Sequence, residues 1–130
     1  MSESTSNFEK YIINAKADKQ DIRDKYYEPD LIVLDNQLEV PDGLEILDQG
    51  QEGSCTGFGL AAVINLLNQQ KRNDIKVSKR MLYEMAKRFD RWPGEDYEGS
   101  SCRGAILGWY NMGVCSEEAW PYEEHDLSYL

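Results

Sequence analysis

Histidine and cysteine are both scarce in this 130-residue sequence, which has one histidine, His125, and three cysteines, Cys55, Cys102 and Cys115. No Cys-x-x-Cys pair is present, so the chain lacks the ligand spacing of a structural zinc site, and we predict neither a metal nor a cofactor. An odd, small number of cysteines is not a disulfide framework. The sequence leaves open a single bridge between Cys102 and Cys115.

Long apolar runs are also missing. The longest, "FGLAAVINLL" at residues 58–67, falls well short of the about 20 residues that a membrane-spanning helix needs. The first ten residues, "MSESTSNFEK", have neither the basic nor the apolar region of a secretory signal. Together with the few cysteines, this predicts a protein of a reducing, cytoplasmic compartment with no membrane partner.

Basic residues are outnumbered, with 14 Lys and Arg against 24 Asp and Glu, which gives a formal net charge of −10. Nucleic-acid binding needs clustered cations against the phosphates, so the balance excludes a nucleic-acid partner. The one basic cluster, "SKRMLYEMAKR" at residues 78–88, is typical of a solvated helix face.

The sequence divides into a polar N-terminal extension, residues 1–40, and a mostly helical domain, residues 41–130. Within the extension, "LIVL" at residues 31–34 reads as one short strand or an extended segment. Helices are predicted over 55–70 with Ser54 as the N-cap, over 78–89 with Ser78 itself as the N-cap, and over 101–113 with Gly113 ending the last. The segment "SEEAWPY", residues 116–122, reads as a capped turn.

The first of these helices is apolar on nearly every side, which predicts that it is buried. It nevertheless carries Gly57 and Gly59 in its first two turns. Each glycine costs roughly 1 kcal/mol against alanine, so we expect either close backbone packing or a substrate beside that turn.

Cys55 stands where the glycine-rich turn "DQGQEGS" meets this helix. The positive end of a helix favours the thiolate, which is the nucleophilic form of cysteine. The N–H of Cys55 and the side-chain amide of Gln49 could then both donate to a developing oxyanion. The alternative is a buried cysteine that packs as a small apolar residue.

Three segments occur in the order and rough spacing of the papain-like cysteine peptidases. The segment "QGQEGSCTGFGLAAVINLL" resembles their nucleophile segment and "VSKRMLYEMAKR" their second helix. The segment "GSSCRGAILGWYNMGVCSEEAWPY" is similar to their Gly-Cys-x-Gly-Gly segment, next helix and Pro-Tyr turn. The resemblance covers residues 48–122 and implies the mostly helical half of an α+β papain-like fold, with the central helix starting at Cys55.

By this resemblance Cys55 matches the nucleophile and Gln49 the oxyanion-hole glutamine. Gly104, with Arg103 and Ala105 beside it, matches the backbone strip that pairs with an extended peptide substrate. Ile106 and Leu107 lie near the family's main specificity pocket, but no role is assigned to them. The alternative for this strip is ordinary packing of the third helix.

The chain also departs from the family pattern. Glu52 stands where secreted members have a cysteine that bridges to the position of Cys102, and Thr56 replaces the aromatic residue that usually follows the nucleophile. The family's histidine and asparagine come about 130–150 residues after the cysteine, beyond about residue 185 here. His125 is therefore expected to be a surface residue, and the β-rich half to be supplied by a missing C-terminal part or a second chain.

The resulting hypothesis is a cysteine-type endopeptidase half-domain that cleaves peptide bonds through a thioester once histidine and asparagine are supplied. Alone, the 130 residues are expected to be inactive. An acyl transferase or peptide ligase would use the same chemistry. The alternative from another class is a non-catalytic interaction module or pseudoenzyme.

Overall fold

The structure, a computed structural model, describes residues 14–37, 39–90 and 98–123. In these residues the elements in chain order are β1 (Ala15–Lys16), α1 (Cys55–Gln70), α2 (Lys79–Phe89), β2 (Ser100–Ser101) and α3 (Cys102–Met112). The two short strands are parallel, with Ala15 opposite Ser100 and Lys16 opposite Ser101. The three predicted helices are confirmed to within one residue at each end.

The helix ends follow the predicted signals in α2 and α3. The hydroxyl of Ser78 accepts a hydrogen bond from the Met81 N–H at 3.0 Å and caps α2. Gly113 ends α3 with φ +70°, and its N–H donates to the carbonyl of Trp109 at 2.8 Å. The turn predicted after α3 is also present, since the Ala119 N–H donates to the carbonyl of Ser116 at 3.1 Å.

Helix α2 is the centre of the packing, because it contacts both α1 and α3. Its side chains Leu82, Tyr83 and Ala86 are completely buried. Two glycines let the neighbouring helices approach it closely. A Cβ on Gly57 of α1 would lie 2.8 Å from the Tyr83 nitrogen, and one on Gly108 of α3 would lie 2.8 Å from the Met85 carbonyl carbon. The close packing expected at Gly57 is therefore found.

Helix α1 is buried on one side only, which corrects the prediction of burial on nearly every side. Phe58, Ala61 and Ile64 face the interior, whereas Val63 and Leu67 are 52% and 45% exposed. Gly59 also lies on the open side, where an added Cβ would meet nothing within 4 Å. A helix that is apolar on all sides becomes buried on all sides only where other elements cover each side. In the described part of the chain, nothing covers this flank.

The basic cluster forms the predicted solvated helix face only in part, because Lys79, Lys87 and Arg88 are at least partly exposed but Arg80 is not. Arg80 is only 1% exposed and binds the carboxylate of Glu52 with both terminal nitrogens at 2.7 Å. Lys87, by contrast, is partly exposed and lies near the solvent side of α2. The helix pattern alone could not predict that one of the four cations, Arg80, binds the buried carboxylate of Glu52.

The N-terminal part contacts the helical part through residues 14–24. Asn14 packs against Gly99, whose φ of +112° favours glycine, and the Asn14 carbonyl accepts from the Ser100 N–H at 3.3 Å. Residues 31–34 are exposed and form no strand, so the strand alternative for this segment is wrong. Among the described helices, none is both long and apolar enough to cross a membrane.

The two glycines of α1 make opposite predictions about stability. Gly57→Ala pushes a methyl group into the backbone of Tyr83 and should lower the free energy of unfolding by about 1–3 kcal/mol. Gly59→Ala meets open space and should raise it by up to about 1 kcal/mol through helix propensity. Urea unfolding of the two variants, followed by circular dichroism, measures both. Equal effects would contradict the packing described here.

Candidate active site

Cys55 is the first residue of α1 and is partly exposed. Ser54 stands at the N-cap position as predicted, but its side chain makes no capping bond. Its hydroxyl lies instead 2.9 Å from the Tyr122 hydroxyl and 3.4 Å from the Glu52 carbonyl. The Ser54 hydroxyl therefore accepts no hydrogen bond from the N–H groups at the positive end of α1, beside the Cys55 thiol.

Gln49 lies in the loop that leads into α1, where Gly50 adopts a φ of +66°. The side-chain nitrogen of Gln49 donates to the carbonyl of Glu52 at 3.0 Å. The loop is also fastened at its start, because the Asp48 carboxylate accepts from the Gly50 N–H at 2.9 Å. The amide of Gln49 thus has a defined orientation, five residues before Ser54 and six before the start of α1. Its role as oxyanion donor stays a prediction.

Three buried or partly buried polar side chains hold this loop in place: Glu52, Arg80 and Tyr122. Glu52 is 6% exposed, and its carboxylate binds Arg80 as described above. The Tyr122 hydroxyl lies 3.0 Å from Glu52 Oε2 and 2.9 Å from the carbonyl of Gln49. Burial raises the pKa of Tyr122, against the opposing hydrogen bond with Ser54, so its phenol stays protonated at neutral pH.

An apolar cavity of about 280 Å³ opens next to Cys55. Three elements contribute to its wall: the first three turns of α1, the first two turns of α3, and β1. Its lining residues are Ala15, Cys55, Thr56, Gly59, Leu60, Val63, Cys102, Ala105 and Ile106. The glycine for which the fold gives no packing reason, Gly59, therefore borders this cavity.

The starts of α1 and α3 are joined side by side. The hydroxyls of Thr56 and Ser100 form a buried hydrogen bond. Ser100 precedes α3 by two residues, and Ser101 caps that helix by accepting from the Gly104 N–H at 3.0 Å. The bond between Thr56 and Ser100 explains how residues almost fifty positions apart, such as Cys55 and Cys102, come to line one cavity.

The predicted substrate strip lies in the first turn of α3. Gly104 is buried, and a Cβ there would lie 2.8 Å from the carbonyl oxygen of Ala86, so close packing against α2 requires glycine. Ala105 is 2% exposed and lines the cavity. Arg103 is engaged by the N-terminal segment, because its N–H donates to Asp18 at 2.9 Å. Whether these residues also bind a peptide stays a prediction.

The sequence did not reveal every residue that shapes the site. Glu52, Arg80, Tyr122 and Ser100 contact the loop or the helix starts, but none was assigned a role there. The signal available was the charged residue Glu52 between Gly50 and Gly53, in a segment that otherwise enters the core. All three cysteines are free thiols, so the possible bridge between Cys102 and Cys115 is not formed. His125 lies outside the described residues.

The pairing of Arg103 with Asp24 should make the contact of the N-terminal segment sensitive to acid. Hydrogen bonds from Arg103 hold the pKa of Asp24 below its ordinary value. The bond is therefore fully present above the ordinary value of about 3.9 and is lost as the pH falls through the lower folded value. We expect the side-chain N–H NMR signal of Arg103 to change in that window and to be altered at neutral pH in Asp24→Asn.

Asp35→Asn is the matched control, since it removes the same charge from an exposed residue of the same N-terminal part. It should leave the Arg103 signal unchanged at neutral pH. An Arg103 signal that is insensitive to Asp24→Asn would show that the pair does not form in solution.

The chain is similar to known proteins in sequence and in fold. The chain is 30% identical over 88 residues to an uncharacterized peptidase C1-like protein of Acanthamoeba polyphaga mimivirus, a match that covers 66% of the chain and 28% of the relative. It superimposes with a TM-score of 0.73 and 26% identity on the crystal structure of xylellain, a cysteine protease from Xylella fastidiosa. That match covers 86% of this chain and 43% of xylellain.

No family model matches the sequence. The chain spans less than half the length of either protein that it resembles. Within that part, its three helices and the order of its segments agree with the resemblance found in the sequence. The chain therefore has the helical half of the α+β papain-like fold, and both similar proteins point to the papain-like family of cysteine peptidases.

Proposed function

We propose that this chain carries the nucleophile and the oxyanion hole of a cysteine endopeptidase. The observation that carries the proposal is the placement of Cys55 at the start of α1, partly exposed, on the wall of an open apolar cavity. A structural cysteine would be sealed among apolar side chains, whereas a nucleophile has to meet its substrate.

The reaction would follow the chemistry of an activated thiol. The Cys55 sulfur attacks the carbonyl carbon of the scissile peptide bond, and its proton passes through a histidine to the leaving amine. The Cys55 N–H and the Gln49 side-chain amide donate to the oxyanion in the tetrahedral intermediate. Water then hydrolyses the thioester and restores the thiol.

The histidine and its orienting asparagine would come from the β-rich half of the domain, either further along a longer polypeptide or on a second chain. Two observations support this. The chain covers 43% of xylellain, and the flank of α1 with Val63 and Leu67 is apolar and open. Residues 41–130 would then form the helical half, and the β-rich half would cover that flank.

The cavity beside Cys55 would receive a side chain of the peptide substrate, and Arg103, Gly104 and Ala105 would hold its main chain. The apolar character of Leu60, Val63 and Ile106 favours an apolar substrate side chain. Ala15 also lines the cavity, so a substrate would contact or displace the N-terminal segment. The three free thiols support a reducing, cytoplasmic compartment for this activity.

An electrophilic peptide probe tests the nucleophile directly. An epoxysuccinyl peptide should add once to the complete protein, and the adduct should map to Cys55 by mass spectrometry. Cys102→Ala is a matched control because Cys102 is more exposed and lines the same cavity. Labelling should persist in Cys102→Ala and disappear in Cys55→Ala. A folded protein that takes up no probe would favour the interaction module.

Gln49→Ala tests the oxyanion hole separately. Loss of one oxyanion donor typically lowers kcat by about 10²–10³-fold, because the donor acts on the transition state more than on the bound substrate. KM for a peptide amide should therefore change little. Steady-state kinetics of the complete protein measure both constants. An unchanged kcat would exclude Gln49 from the reaction.

A further inference from the structure

Glu52 contacts both Gln49 and Ser54 through its main-chain carbonyl group. Its carbonyl oxygen accepts from the side-chain nitrogen of Gln49 at 3.0 Å and from the Ser54 N–H at 2.8 Å. Gln49 is the proposed oxyanion donor, and Ser54 immediately precedes the nucleophile. One carbonyl group therefore fixes the distance between the two, and any movement of Glu52 displaces both.

The side chain of Glu52 holds that carbonyl in place. Both of its oxygens lie 2.7 Å from the two terminal nitrogens of Arg80, in the forked geometry that gives strong, directional ion pairs. Arg80 belongs to α2, whose neighbouring side chains are completely buried. The loop is thus attached to the buried side of helix α2 by a charged pair, in addition to its own backbone.

Aromatic rings pack against the pair, and two further charged groups on α2 balance its charge. The Arg80 guanidinium lies 4.4 Å from the centre of the Tyr122 ring, and Phe58 packs edge-on against the same ring at 4.6 Å. Glu84 lies 3.3 Å from Arg80, and Lys87 lies 2.9 Å from Glu84. Two acidic and two basic groups alternate from the loop to the partly exposed Lys87, so the buried charges cancel.

The orientation of the Gln49 amide follows from these contacts. Only the nitrogen end of a side-chain amide donates, so the bond to the Glu52 carbonyl determines which way the amide faces. Its second N–H is then held in a fixed direction relative to the loop. We propose that Glu52, anchored by Arg80, is a positioning residue that presents the Gln49 amide to the oxyanion. The proposal rests on the proposed peptidase function and names the device that orients its oxyanion hole.

A double-mutant cycle on the complete, active protein separates positioning from mere stability. The variants are Glu52→Gln, Gln49→Ala and the two combined, with kcat and KM measured on a peptide amide. Glu52→Gln keeps the size of the side chain and the main-chain carbonyl but removes the charge that binds Arg80. We expect kcat to fall at least about tenfold, with KM changed less than about twofold, because a misaligned donor fails mainly in the transition state.

In the Gln49→Ala background, Glu52→Gln should lower kcat by no more than about threefold, since the group that Glu52 positions is already gone. Glu84→Gln is the matched control. It makes the same chemical change to the other carboxylate on Arg80, on α2 rather than on the loop. It should shift the urea midpoint but leave kcat within about twofold of the parent.

The outcomes distinguish the two proposals. If Gln49→Ala lowers kcat but Glu52→Gln has no effect, or has the same effect in both backgrounds, Glu52 does not act through Gln49 and only the positioning proposal is wrong. If Gln49→Ala leaves kcat unchanged, the oxyanion role itself is wrong and the positioning role falls with it. Should Glu52→Gln not fold, Glu52→Leu with Arg80→Met removes both charges and should show the same loss of kcat and the same dependence on Gln49.

Discussion

The bond between Arg80 and Glu52 joins the two parts of the molecule on which the site depends, the packed helix α2 and the loop before α1. Both side chains are buried, and each terminal nitrogen of the arginine meets one carboxylate oxygen at 2.7 Å. Removing one member of such a pair leaves a buried charge without its partner, which is much more destabilising than never having the pair. The pair therefore ties the loop before α1 to α2, and losing either residue alone would destabilise this attachment.

Close helix packing then brings the site together. Gly57, Gly104 and Gly108 let α1 and α3 approach α2 so closely that a methyl group at any of them would meet its backbone or Cβ atoms. The buried bond between Thr56 and Ser100 aligns the starts of α1 and α3. As a result, Cys55 and Ala105, which are far apart in the sequence, border one cavity beside the positive end of α1.

The sequence predicted the helices well because their signals are local. Ser78, Gly113 and the apolar spacing of α2 act within a few residues, and the structure agrees to within one residue. Contacts between distant segments were not predicted. Neither the pairing of Arg80 with Glu52 nor the two-residue strands β1 and β2 leave a pattern in the chain, since each depends on the tertiary arrangement. Burial of α1 was overestimated for a related reason, because an apolar residue such as Val63 does not reveal which neighbour covers it.

Two arginine–carboxylate pairs that join distant segments of the described chain differ in their exposure to water. Arg103 and Asp24 have side chains that are 27% and 44% exposed, whereas those of Arg80 and Glu52 are 1% and 8% exposed. Dissolved ions screen charges that water reaches and affect enclosed ones far less. Rising ionic strength will therefore loosen the N-terminal segment from α3 while the loop before Cys55 keeps its geometry. The molecule thus has one attachment that responds to its surroundings and one that does not.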